Sequence, residues 1–205
     1  MKKFIKKRNL GMIIGLTLFI LVFIFYLTQF FAYRKAKKEI SEILKNYYQA
    51  MDSAGENLFE KDASTIEKEY NDIFDKFWDD EDDVYSAKYP ELELITKDKF
   101  KSDIKDALNN SLLLPVSHCT SSFYDVNITR VDRKTYEVSF YVNTDMDYTY
   151  NEYEDTSSCM VISAQGVLNT YQAESPNAIF CFKKVNGSWK IIGVNTDNSY
   201  DNRMF

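Results

Sequence analysis

The chain has 205 residues with 31 acids against 25 bases, a length that suits one domain of ordinary size plus an appendage. Its charge is divided: nine bases and no acid fall in the first 38 residues, and from Glu39 onward 31 acids face 16 bases, a net of −15. Phosphate backbones repel such a domain, which speaks against direct nucleic-acid binding, whereas the basic collar fits anionic lipid headgroups.

The appendage is Leu10 to Ala32, LGMIIGLTLFILVFIFYLTQFFA, with no Asp, Glu, Lys or Arg. As a helix it extends roughly 34 Å, enough to cross a hydrocarbon core of about 30 Å. A cleaved signal peptide is the rival reading. The apolar run exceeds the usual h-region, and Phe30 stands where a small residue should precede a cut after Ala32. An uncleaved anchor in the lipid bilayer is therefore expected. Five bases precede the span and four follow it, so the positive-inside comparison is nearly tied. The short basic tail ahead of the first apolar segment favours a cytoplasmic N-terminus and an extracytoplasmic C-terminal domain. The expected organisation is a basic tail at 1–9, the span at 10–32, a juxtamembrane stretch and first helix at 33–60, and the outer domain at 61–205. The first helix packs with that domain.

Three helical patterns follow. Ile40, Ile43, Leu44, Tyr47, Tyr48 and Met51 recur at three and four residues and form one apolar stripe, which Gly55 ends. A second helix starts at Ser64, with Glu67 completing a capping box, and carries Ile66, Tyr70, Ile73, Phe74, Phe77 and Trp78. A third starts near Thr96 and carries Phe100, Ile104, Ala107 and Leu108. The polar DDEDDVYSAKYPELEL connects the second and third.

After Pro115 the period falls to two. Tyr124, Val126 and Ile128 alternate with polar residues, as do Tyr136, Val138, Phe140 and Val142, with VDRKTY turning between them. Further strands are expected at Met160 to Tyr171, Ala178 to Val185 and Trp189 to Val194. Asn186-Gly187 suits a type I′ hairpin, whose two central residues need positive φ. Helices first and antiparallel strands afterwards indicate an α+β fold, about three helices on one sheet.

That order, closed by FKKVNGSWKIIGV, resembles the nuclear transport factor 2-like superfamily, many of whose members end in a similar hairpin, here Lys184 to Ile191. The resemblance covers roughly residues 36–195 and implies a cone-like domain on a curved sheet. Basic tail, single span and outer cone together are similar to the VirB-type scaffold subunits of conjugation and type IV secretion machines. This implies a component that binds other membrane-complex proteins and catalyses nothing, the alternatives being a small-ligand-binding or sensor domain or a pocket isomerase or hydrolase; self-association is left open.

Some superfamily members are isomerases or dehydratases, whose chemistry needs a pocket carboxylate or His and an oxyanion donor. The sole histidine, His118, precedes Cys119, and neighbours in an extended segment point to opposite faces, so a thiolate–imidazole dyad is not expected. Asp125 and Glu137 alternate away from the apolar set, as solvent-facing residues do. No catalytic, cofactor or metal residue is assigned, and the chain is expected not to be an enzyme. Neither acidic run, Asp79 to Asp83 or Asp145 to Asp155, makes a calcium loop; Tyr150 stands where the second would need Gly. In that second run Tyr148, Tyr150, Tyr153 and Glu154 form a candidate partner-contact loop, because Tyr brings contact area at small entropy loss. An oxidising exterior permits one disulfide among three cysteines, with Cys119 to Cys159 the favoured pair and Cys181 a small core residue. Trp189 is expected to stabilise the closing hairpin.

Overall fold

The computed structural model describes residues 2–79, 94–109, 113–114, 116–148, 160–169 and 177–195, with backbone alone at 2–9, 148, 169 and 177. The chain divides into two compact units, Met1–Glu39 and Ile40–Phe205. Helix α1, Lys2–Gly55, contributes residues to both.

In the first unit α1 is long and apolar enough to span a bilayer. Its most apolar 18-residue window has a mean hydropathy of 2.7 and no buried residue. Thr17 and Thr28 return their hydroxyls to the Ile13 and Phe25 carbonyls, so these two polar groups are satisfied within the helix.

The second unit is α+β. Helices α2, Ala63–Phe77, and α3, Lys97–Asn109, follow α1, with a 3₁₀ turn at Leu58–Glu60. The cap of α2 differs from the expected Ser64: Asp62 accepts the Thr65 N–H at 2.8 Å, and the Ser64 hydroxyl donates to the same carboxylate. Asp is as good an N-cap as Ser and stands one turn ahead of that N–H, so the helix begins earlier. At α3 the expected start holds, with Thr96 Oγ1 accepting from the Lys99 N–H at 3.3 Å.

Strands β1, Val116–Arg130, β2, Thr135–Tyr148, β5, Asn177–Val185, and β6, Ser188–Asn195, form one antiparallel sheet in the order β1-β2-β5-β6. The single strand expected at Met160 to Tyr171 is instead a small hairpin. Strands β3, Met160–Ser163, and β4, Gly166–Asn169, pair across a two-residue turn at Ala164-Gln165. Gly166, at φ +147°, supplies the backbone shape that the turn needs and the apolar run conceals.

Strand β1 also departs from the expected phase. Tyr124 pairs with Tyr141 but Asn127 with Ser139, so β1 carries one extra residue there, and Asp125 takes φ 55°. This bulge flips the inward set. Phe123 faces the core, while Tyr124 and Val126 are 54% and 42% exposed. Simple alternation predicts Tyr124 and Val126 inside.

The core lies between the helices and the concave sheet face. Tyr47 of α1 meets Phe77, Trp78 and Phe180 at centroid distances of 5.6, 6.2 and 6.0 Å. Tyr48 meets Phe123 at 5.0 Å and Phe140 at 5.8 Å, edge-to-face arrangements that favour aromatic pairs. The closing hairpin turns through Asn186, φ 49°, and Gly187, φ 89°, as the Asn-Gly signal requires. Trp189 is buried, edge-on to Tyr136 at 5.0 Å. The β6 edge is covered: Ile95 exchanges two backbone bonds with Val194, and the Asp79 N–H donates to the Ile191 carbonyl at 2.9 Å. Gly193 admits Leu94, which covers buried Cys181 and Ile192.

Candidate functional site

Chemistry-bearing side chains converge where the last turns of α1 run beside the β1 edge. Asp52 lies in the last turn of α1 and Glu56 directly follows the helix, its N–H still bonded to the Asp52 carbonyl at 3.2 Å, so the two are one helical repeat apart, a rise of about 6 Å. Cys119 and Ser121 are two apart on the strand, spanning about 6.7 Å. The near match lets each carboxylate take one outward strand N–H: Ser121 N donates to Asp52 Oδ2 at 2.8 Å, and Cys119 N to Glu56 Oε1 at 2.9 Å.

Asp52 is further saturated by Ser121 Oγ at 2.9 Å and Cys119 Sγ at 3.5 Å. Thr144 Oγ1 lies 3.3 Å from Ser121 Oγ and continues the network onto β2. Burial lifts the Asp52 carboxyl above its ordinary range, against the hydrogen bonds from Ser121. The Cys119 thiol is pushed well up by burial and by the Asp52 charge. It therefore stays protonated and donates to Asp52, the reverse of an activated nucleophile. His118 turns to Glu56 instead, Nδ1 to Oε1 at 3.0 Å, with Thr120 Oγ1 3.0 Å from Nε2. His118 and Cys119 thus serve two different carboxylates. The cluster is well built to hold a strand edge, and a carboxylate that accepts three donors has little acceptor capacity left.

Deeper in, the Tyr47 hydroxyl donates to the Ala164 carbonyl at 2.9 Å and ties the β3-β4 turn to α1. Among the described residues, the buried Tyr70 hydroxyl has no hydrogen-bond partner. A groove of about 270 Å³ runs between the 3₁₀ turn, α2 and α3, lined by Leu58, Phe59, Ile66, Ala107, Leu108 and Leu113 among others.

The sequence-derived sites are distributed as follows. Tyr148 is the last residue of β2, opposite Val116, and not a loop residue, because the β1-β2 ladder runs to that point. Tyr150, Tyr153 and Glu154 lie outside the described residues, as does most of the Asp79 to Asp83 run. Cys119 carries a free thiol, and Cys159, its expected disulfide partner, lies outside the described residues. Asn186, Gly187 and Trp189 form the hairpin described above. Among the described residues no group of three or more His, Cys, Asp or Glu is arranged to hold a metal. The Asp52–Ser121 cluster went unseen in the sequence; its one local trace is a pair of acids four apart beside the apolar stripe of α1.

No protein-family model and no curated protein sequence matches the chain. Among solved structures it is similar to the crystal structure of a "Putative Scytalone Dehydratase" from Novosphingobium aromaticivorans, at 10% identity and a TM-score of 0.42, covering 82% of this chain and 91% of that one. That neighbour is described as an enzyme, and the expectation of a chain without catalysis is withdrawn on that finding. The likeness assigns none of the neighbour's chemistry to this chain.

Proposed function

We propose that the chain is a single-pass membrane protein, N-terminus in the cytoplasm, whose acidic domain lies outside and binds other subunits of a membrane complex. The cone-like, nuclear transport factor 2-like architecture belongs to this reading. So does a place in a conjugation or type IV secretion machine, on the likeness to VirB-type scaffold subunits. One observation carries the proposal: an unburied apolar helix sits on the same chain as a domain whose concave face is filled by its own rings. Rings at Tyr47, Phe74, Trp78, Phe140 and Phe180 are all buried and pack on one another between the helices and the sheet. Contact surface is then the domain's principal asset. Tyr148 at the end of β2, with Tyr150, Tyr153 and Glu154 that follow it in sequence, is part of that surface in this reading.

A second reading, a small-ligand binder, draws on the apolar groove beside Phe59. Its volume of about 270 Å³ falls just under the usual range of ligand pockets, roughly 300–1,000 Å³, which leaves it second. Crosslinking in the native membrane, followed by identification of the adducts, tests the first reading. Specific protein adducts to the acidic domain support it, and a domain that crosslinks to no protein contradicts it.

A further inference from the structure

The outer face of the β1-β2 ladder carries a feature that neither the core nor the edge cluster uses. The rings of Tyr124 and Tyr141 pair across the strands, stacked with centroids 5.5 Å apart and planes 15° from parallel. Both rings are open to solvent, at 54% and 38% exposure, and Val126 stands exposed beyond the bulge. The other half of the same sheet face is treated differently, since Leu94 lies over Cys181 and Ile192 there. Uncovered aromatic surface on one half and a built cover on the other mark the first as a contact surface.

The charge around the pair states what it would contact. From Val116 to Tyr124 and from Tyr141 to Tyr148 the two strands contain no Lys or Arg. Exposed Asp145 and Asp147 stand on β2, four and six residues beyond Tyr141, and exposed Asp125 adjoins Tyr124 at the bulge. Side chains two apart on a strand share a face, so Tyr141, Asp145 and Asp147 point the same way, with about 13 Å from the ring pair to the first carboxylate. Guanidinium groups stack on tyrosine faces and pair with carboxylates, and both partners are offered here at strand spacing.

We propose that the outer face of β1-β2, centred on the Tyr124–Tyr141 stack and extended by Asp145 and Asp147, docks an extended, arginine-bearing segment of a partner protein. This deepens the partner-binding reading and rests on it. Alternate residues of an extended segment reach the same face, so one arginine covers the ring pair while others reach the carboxylates. Because the residues involved are exposed, replacing them leaves the core intact.

The test uses the full chain in lipid nanodiscs and a fluorescein-labelled peptide of alternating Arg and Ser, with a Glu and Ser peptide as control. Saturable binding of the basic peptide alone is expected. Tyr124→Ala with Tyr141→Ala should weaken it about two- to fivefold, the loss of one exposed cation–π contact. Tyr124→Phe with Tyr141→Phe should bind as the parent does. Asp145→Asn with Asp147→Asn should weaken binding, and Asp72→Asn with Asp98→Asn, an equal charge change on α2 and α3, should not. If the two charge pairs weaken binding equally while the tyrosine pair has no effect, binding follows net acidity and this site is overturned. Partner binding through another face would survive that result, whereas a domain that crosslinks to no protein in its native membrane overturns both readings.

Discussion

Asp52 accepts the backbone N–H of Ser121 at 2.8 Å, joining the end of α1 to the edge of β1 across 69 residues of chain. Edge strands invite unwanted pairing, and covering their N–H groups is one way to prevent it. Here the cover is two carboxylates, Asp52 in the last turn of α1 and Glu56 just after it. Asp52→Ala leaves the Ser121 N–H and the Cys119 thiol unpaired, and it should cost about 2–3 kcal/mol in urea unfolding. Asp52→Asn keeps an acceptor and should cost less.

The same residue gives a pH signature. Burial raises the folded-state value above the ordinary 3.8. A raised acid favours folding fully below its ordinary value, and that contribution fades as pH rises through the folded value. Stability measured from about pH 4 upward should therefore fall less in Asp52→Asn than in the parent. An identical slope in the two proteins would contradict the buried-carboxylate account.

Asp62 behaves oppositely. Hydrogen bonds from Ser64 and Thr65 hold it down from 3.8 to about 2. A depressed acid supports the fold above its ordinary value and loses that support as pH falls through the folded one. Acid titration followed by circular dichroism should show α2 weakening between about pH 4 and pH 2, a step that Asp62→Asn abolishes.

The bulge at Asp125 makes two adjacent aromatic residues unequal. Phe123 packs on Tyr48 and Phe140, at 5.0 and 5.7 Å, whereas Tyr124 is exposed. Phe123→Ala should cost above about 2 kcal/mol and Tyr124→Ala under about 1 kcal/mol. Equal costs, or the reverse order, would restore the phase that simple alternation predicts.

Trp189 closes the last hairpin against Tyr136 and is buried. Trp189→Ala should lose about 3–5 kcal/mol in chemical denaturation. A loss under about 1 kcal/mol is the range of ordinary surface changes and would place the ring outside.

These residues also show what the sequence discloses and where it stops. Asn186-Gly187 is legible because its turn needs only local φ angles. The Tyr47, Tyr48 and Met51 stripe is legible because helix period and burial agree. The bulge is not, since one extra residue in β1 is decided by pairing with β2. The β3-β4 hairpin resembles one strand in sequence because Ala164-Gln165 carries no turn signal and only Gly166 marks the place. The contact between Asp52 and Ser121 is invisible for the same non-local reason: each looks like an ordinary polar residue until the fold brings them together.

The account rests on a bilayer span with the acidic domain outside, and limited proteolysis of intact cells tests that most directly. Protease added outside should remove the domain and leave a fragment that contains Leu10 to Ala32 in the membrane. A domain that resists protease on intact cells and is cut only after the membrane is opened would contradict the account.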